Sequence, residues 1–449
     1  MNLIGRTQEL DLLKKALNSK RKELCILYGR RRLGKTAILR ECLRQSQGLF
    51  FSCPVASSGE ALRLFQARMA ETFHEPLLLN TRFAGWREAL CYAIQQCSDR
   101  KWPLIFDEFP YLLRSVPGVD SLLQHEWDHA QGAPKIILCG SSLSIMESEV
   151  LGSHAPLFGR RTLQIELGPM DFRTVSKFYG KRKFEEQILY YSFFGGIPAY
   201  AEHAAELEDP VEALTKLVLE PHGVLYSEPD FLMREELREP VSYFSILHAI
   251  SAGNTRPNRI AQAAGIPGQS LAKYLDVLRR MRLVNRKTPI TEKHQERSSK
   301  SIYTIDDPFL RFWFRFVFSE RSALELGLAK RIWKEKISKD YDSVLGLLYE
   351  DVVRQELRGQ WESWLGWEPA RIGQYWDANT ELDIVAEDLA GGCVAFFECK
   401  WSLSADVEKE LRILQAKARA IPHFAEYHHE YFIVSRTASK HPRHIRLAF

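Results

Sequence analysis

A chain of 449 residues, 45% hydrophobic and 26% charged, is too long for one core and too ordinary in composition to be disordered or repetitive. Its net charge of +4 is too small to name a partner. The eight cysteines follow no metal-ligand spacing, no signal-peptide layout opens the chain, and no apolar run approaches the ~20 residues of a membrane helix. The expectation is a soluble cytoplasmic protein with reduced thiols, no membrane association and about three domains at ~150 residues each.

Strand and helix patterns alternate first. Apolar runs at Leu24–Tyr28, Leu49–Cys53, Leu104–Phe106, Lys135–Cys139 and Leu163–Leu167 are separated by helical patterns such as Ala61–Phe73 and Trp86–Cys97. Buried strands spaced by helices predict a parallel sheet covered on both faces. From about 169 the pattern turns helical, with a break at Gly195-Gly196-Ile197-Pro198 where glycine and proline forbid a continuous helix. A second helical block covers 240–281, a polar stretch runs from Thr288 to Lys300, a short strand follows at Ser301–Thr304, and mixed signals resume near Ser338.

The first strand runs into Gly29-Arg30-Arg31-Arg32-Leu33-Gly34-Lys35-Thr36, which matches GxxxxGK[ST], and a helical run opens at Ala37. Glycines let backbone N–H groups wrap phosphates; Lys35 should reach the β/γ oxygens and Thr36 should ligate Mg2+. These nine residues are the expected ATP site. Pro103-Leu104-Ile105-Phe106 ends in Asp107, expected on the Mg2+ water shell, and Glu108, expected to polarise the attacking water. Ser141 follows the next strand, placed to read the γ-phosphate.

This signature resembles archaeal-type AAA ATPases near the STAND branch. The resemblance implies that Gly5 and Arg6 lie near the adenine, that Arg160 or Arg161 contacts the γ-phosphate in cis or from a neighbouring subunit of a homo-oligomer, and that Pro198 belongs to a lid motif. Arg259–Gly265 followed by Gln269–Leu275 reads as helix, glycine turn, helix, with a strand at Ile302–Ile305, a winged helix-turn-helix pattern. Lys273, Arg279, Arg280, Arg282, Arg286, Lys287, Lys293, Arg297 and Lys300 suit phosphate-backbone contact, so DNA is the expected partner.

Near the end, Glu381-Leu382-Asp383 opens one strand, and Cys393–Lys400 is another closing on Glu398-Cys399-Lys400. Strand alternation puts Glu398 and Lys400 on one face, where Asp383 would join them and Glu350 could add a further metal ligand. This segment resembles the PD-(D/E)xK restriction-endonuclease-like fold and the domain of unknown function that follows archaeal-type ATPases, although Leu382 replaces the usual proline. The expected architecture is α/β multidomain: a P-loop core over 1–168, a helical lid over 169–236, a winged helix-turn-helix over 237–325 and a nuclease-like α/β domain over 338–449. The expected activity couples ATP hydrolysis to DNA binding and Mg2+-dependent cleavage; the alternative is a STAND-like switch that binds protein partners through an inactive scaffold.

Overall fold

The computed structural model describes residues 3–447 except 45, 81–82, 238–239, 390–391, 403–405 and 438. The chain divides into two compact units, Met1–Pro169 and Met170–Phe449. Among the described residues no helix is long and apolar enough to cross a membrane.

The first unit is built on five parallel strands, β1 (Glu23–Tyr28), β2 (Leu49–Ser52), β3 (Pro103–Asp107), β4 (Lys135–Gly140) and β5 (Leu163–Glu166), in the order β2-β3-β4-β1-β5. Every residue of β1, β3 and β4 is buried, as parallel strands covered by helices on both faces require. Phe51, Phe65, Trp86 and Phe106 cluster on one face, with Phe65 stacked on Trp86 at 5.6 Å. The helix over Ser58–Phe73 starts where the Ser57 side chain accepts from the Glu60 N–H. Because all strands are parallel, their C-terminal ends share one edge. That edge carries the segment after β1, Asp107 at the end of β3 and Ser141 just beyond β4.

The second unit opens with helices, including Phe184–Phe194 and Pro198–Ala205 on either side of the predicted glycine–proline break. Three helices follow, Val241–Ser251, Pro257–Ala264 and Gly268–Arg280, with Gly265 at φ 65° closing the second in the left-handed region. An antiparallel pair, β6 (Asn285–Lys287) and β7 (Ile302–Thr304), completes this group.

A long helical run, Ser338–Leu365, broken by a kink at Gln360 (φ −138°), then leads to β8 (Arg371–Trp376), β9 (Glu381–Asp388) and β10 (Cys393–Lys400), which form an antiparallel meander. After the helix Val407–Arg419, β11 (His428–Ser435) and β12 (His444–Arg446) add in parallel to β10's side of the sheet, giving β12-β11-β10-β9-β8. Leu382, Val385, Phe396, Leu414 and Ile433 fill the core between sheet and helix. Ile290 belongs to the same core, and its N–H donates to the Gln374 carbonyl at 2.8 Å. The stretch after β6, polar by sequence, is therefore fastened to β8 by one apolar residue.

Candidate nucleotide site and carboxylate cluster

The loop from Gly29 to Thr36 needs two glycines for different reasons. At Gly29 (φ 148°) a Cβ would lie 2.4 Å from the Leu167 carbonyl oxygen, so close backbone approach excludes any side chain. At Gly34 (φ 90°) there is open space, and the left-handed backbone alone demands glycine. The Lys35–Leu43 helix starts on Gly34 without a side-chain cap, leaving its first N–H groups for an anion. The Lys35 ammonium is buried and donates to the Gly29 and Arg30 carbonyls, both at 2.8 Å; burial pushes its pKa down. Thr36 Oγ1 donates to Asp107 Oδ2 at 2.9 Å, so the two expected Mg2+-side residues meet although 71 positions separate them.

Glu108 sits at φ 55° and accepts from the Ser141 hydroxyl and, at 3.2 Å, from the Ser141 N–H. Ser141 thus orients Glu108, a role its position in the sequence did not reveal. Arg30 is buried, while Arg31 donates to the Tyr111 hydroxyl. Arg6 Nη2 donates to the Leu33 carbonyl at 3.3 Å and to the Gly168 carbonyl at 2.6 Å, so it braces the loop. Gly5 precedes it at φ 67°.

The second cluster lies where β9 and β10 part. Their ladder ends at the pair Ile384–Phe397; one step on, Asp383 Oδ2 accepts from the Cys399 N–H at 2.8 Å. Glu398 is buried and pairs with Lys400, which alternation placed on the same face, at 2.9 Å, and also with Lys417 at 3.4 Å. Lys400 reaches Glu410 as well; against the desolvation of partial burial, these carboxylates hold its pKa above the usual value. Glu350 comes from the long helix. Burial, then Asp383, push its pKa up to about 9, while burial, then Glu398, push Asp383 to about 7. Lys417 and Glu410 carried no sequence signal, because they arrive on a separate helix.

An ATPase domain family described as predominantly from Archaea matches residues 3–203, and a family described as archaea bacterial proteins of unknown function matches 313–412. An uncharacterized protein of Methanocaldococcus jannaschii is 31% identical over 441 residues, covering 96% of this chain and 95% of its own. The chain belongs to this archaeal-type ATPase family. Among solved structures, a Walker-type ATPase of Pyrococcus abyssi matches with a TM-score of 0.52 at 20% identity, over 70% of this chain and 96% of its own, a likeness of fold. A STAND protein with a tetratricopeptide repeat sensor from Pyrococcus horikoshii matches at a TM-score of 0.32 and 12% identity, over 79% of this chain and 50% of its own.

The remaining expected residues of this ATPase fall in four places. Thr162 N–H donates to the Leu24 carbonyl at 2.9 Å, so Arg160 and Arg161 lie at the start of β1, whereas the phosphate loop follows its end. Five residues of strand span about 16 Å, which removes the in-cis version of the expected γ-phosphate contact. Arg160 instead pairs with Asp128 at 3.0 Å, and Arg161 lies over the Phe158 ring. Pro198 is buried in the second unit at the first turn of its helix, and Gly196 accepts from the Met170 N–H at 2.7 Å.

Lys273, Arg279, Lys293 and Arg297 are exposed, and so is Lys300, which pairs with Glu292 at 2.8 Å, but Arg286 and Lys287 are turned to internal partners, Ser301 and Asp351. The expected basic surface is correspondingly smaller. Finally, no group of three or more His, Cys, Asp or Glu residues stands ready to hold a metal ion among the described residues.

Proposed function

We propose that this ATPase hydrolyses ATP on the Gly29–Thr36 loop and uses its nucleotide state to control a metal-dependent nuclease centre at Glu350, Asp383, Glu398 and Lys400. In this reading Lys35 leaves its two carbonyls for the β/γ oxygens, and Thr36 and Asp107 hold Mg2+. Glu108, fixed by Ser141, orients the attacking water. The segment with Pro198 serves as lid. The three helices with β6 and β7 form a winged helix-turn-helix whose exposed Lys273, Arg279, Lys293 and Arg297 contact DNA. Arg160 or Arg161 contributes to hydrolysis only from a neighbouring subunit.

One observation carries the nuclease assignment: although the described residues form no ready three-ligand group, Asp383 lies within electrostatic reach of both Glu350 and Glu398, Lys400 pairs with Glu398, and the field there favours proton uptake by Asp383 and Glu350. Crowded carboxyls with raised pKa values are stabilised by a cation. The order helix, three-strand meander, helix, parallel strand supports the restriction-endonuclease-like reading. When bound, a divalent ion would neutralise charge on a scissile phosphate and lower the pKa of attacking water. Lys400 would then hold an anionic oxygen in place.

The two lysines on Glu398 favour a second reading, in which the domain is an inactive scaffold of a protein-binding switch. Plasmid and linear DNA, incubated with Mg2+ or Mn2+ with and without ATP, decide between them. Wild type should cut, while Asp383→Ala and Lys400→Ala should not; Lys35→Ala should lose ATP turnover and the ATP dependence of cutting. Cutting no better than both variants in every condition removes the nuclease reading, and undiminished turnover by Lys35→Ala removes the assignment of the loop.

A further inference from the structure

A cavity of about 460 Å³ lies in the second unit between the β6 segment, the long helix and β8. That is ample for a mononucleotide-sized ligand. Five cationic side chains line it against two carboxylates, and those carboxylates are already oversubscribed. Asp351 is paired with Arg354 at 2.8 Å, Arg311 at 3.0 Å and Lys287 at 3.7 Å. Desolvation works against its charge, but these three cations hold its pKa well below the usual range. Asp306 serves Lys287 at 3.6 Å and also accepts from Asn285 and Thr304.

Positive charge is therefore left over, and its location is specific. Arg358 lines the cavity with no hydrogen bond or ion pair among the described residues, and partial burial, then the neighbouring Arg354, push its pKa down. Arg371 is committed to the buried Glu387, yet its Nε is buried without a partner. A guanidinium crowded by another, with Asp306 and Asp351 near but neither in direct contact with it, is stabilised by an oxyanion, best by a phosphate that meets its planar fork.

We propose that this cavity binds a nucleoside phosphate, with the phosphate on Arg358 beside Arg354. The remaining lining suits the rest of such a ligand. Trp376 supplies an aromatic ring, anchored by its indole N–H donating to the Lys300 carbonyl at 3.1 Å. Gln295, Gln355 and Gln374 offer both donors and acceptors to a base edge. Arg354 also donates to the Asp383 carbonyl at 3.3 Å, so an anion in the cavity acts on the strand that carries the carboxylate cluster. Two sources share this chemistry, a free nucleotide and the 5′-phosphorylated end of a nucleic-acid strand. The site is separate from the phosphate loop and stands whether or not the carboxylate cluster cleaves DNA.

Hydrogen–deuterium exchange on the full chain tests it, using AMP and a short deoxyadenosine oligonucleotide with and without 5′-phosphate as probes. Lys35→Ala is run in parallel so that protection spreading from the phosphate loop is recognised. The expected result is protection of residues 285–297 and 371–376 in both backgrounds, with the half-saturating probe concentration raised at least tenfold by Arg358→Glu and less by Arg358→Lys. Protection by AMP at lower concentration than by the oligonucleotide identifies a free nucleotide; the reverse order, dependent on the 5′-phosphate, identifies a strand end. No protection of these segments by any probe at millimolar concentration, or protection unchanged in Arg358→Glu, overturns the proposal.

Discussion

Glu350→Gln removes a carboxyl that the folded chain prefers to keep protonated. Its pKa rises from 4.5 to about 9 by burial and by the nearby Asp383. Between those values the folded state binds a proton that the unfolded state has released, so stability falls as pH rises through the window. Over four units at about 1.4 kcal/mol each, the ceiling at pH 8.5 is about 5 kcal/mol. The penalty is shared with Asp383 and eased by Arg354, which leaves about 1–3 kcal/mol for the single substitution. Opening free energies of the β9 and β10 amides, measured by hydrogen exchange in EDTA, give the local value. The variant should be the more stable protein at pH 8.5, with the difference below about 1 kcal/mol at pH 5. Added Mg2+ should stabilise wild type and leave the variant unmoved. A variant less stable than wild type at pH 8.5 would mean that the carboxylate is already satisfied, and the case for a cation at this cluster would collapse.

Ser141→Ala removes one of the two bonds that orient Glu108 and keeps the backbone N–H; steady-state kinetics should show kcat for ATP lowered about tenfold with KM little changed, consistent with loss of a hydrogen bond to a charged acceptor. An unchanged kcat would make the contact incidental. Replacing Arg279 together with Lys273 by alanine should weaken DNA binding and reduce the salt slope by about 1.8, since two phosphate contacts release two counterions. A slope that stays the same would assign these exposed side chains to solvent.

Much of the first unit was legible because its signals are local. Five buried apolar residues followed by glycine specify a strand entering a loop, and the acids at the end of the third strand need only the strand to place them. Five strand segments were anticipated, and all five pair in parallel. What stayed hidden depends on partners far apart in sequence. Ser141 holds Glu108 because β3 and β4 are neighbours, a fact about strand order that no motif encodes. In the second unit, alternation placed Glu398 and Lys400 on one face, but not their ion pair, and Lys417 enters from a helix and changes the charge that Glu398 presents. Arg286 and Lys287 read as a basic surface only until Ser301 and Asp351 are folded against them.

The proposed coupling requires that nucleotide at Gly29 be felt beyond residue 169, and the covalent junction at Pro169–Met170 is the route that two variants test. On the first unit's side, Leu167 N–H donates to the Tyr28 carbonyl at 2.7 Å, Gly29 touches the Leu167 carbonyl too closely to admit a Cβ, and Arg6 holds Gly168. On the second unit's side, Met170 N–H donates to the Gly196 carbonyl, and a Cβ on Gly196 would lie only 2.0 Å from the Met170 carbonyl oxygen. In the proposed coupling a shift of Gly29 on binding phosphate moves Leu167, and Pro169 with its fixed φ passes that shift to Met170 and the Gly196-Ile197-Pro198 turn. Inserting three glycines after Pro169 keeps every one of these residues and lengthens only the link between the two sets of contacts. Gly196→Ala does the opposite, forcing the Met170 carbonyl aside by about 1 Å to reach a tolerable separation. Both variants should bind ATP as wild type does, yet lose the ATP-dependent change in hydrogen exchange across 184–205. If the glycine insertion preserves that change in full, the signal does not travel through the junction, and coupling must be sought in direct contacts between the two units.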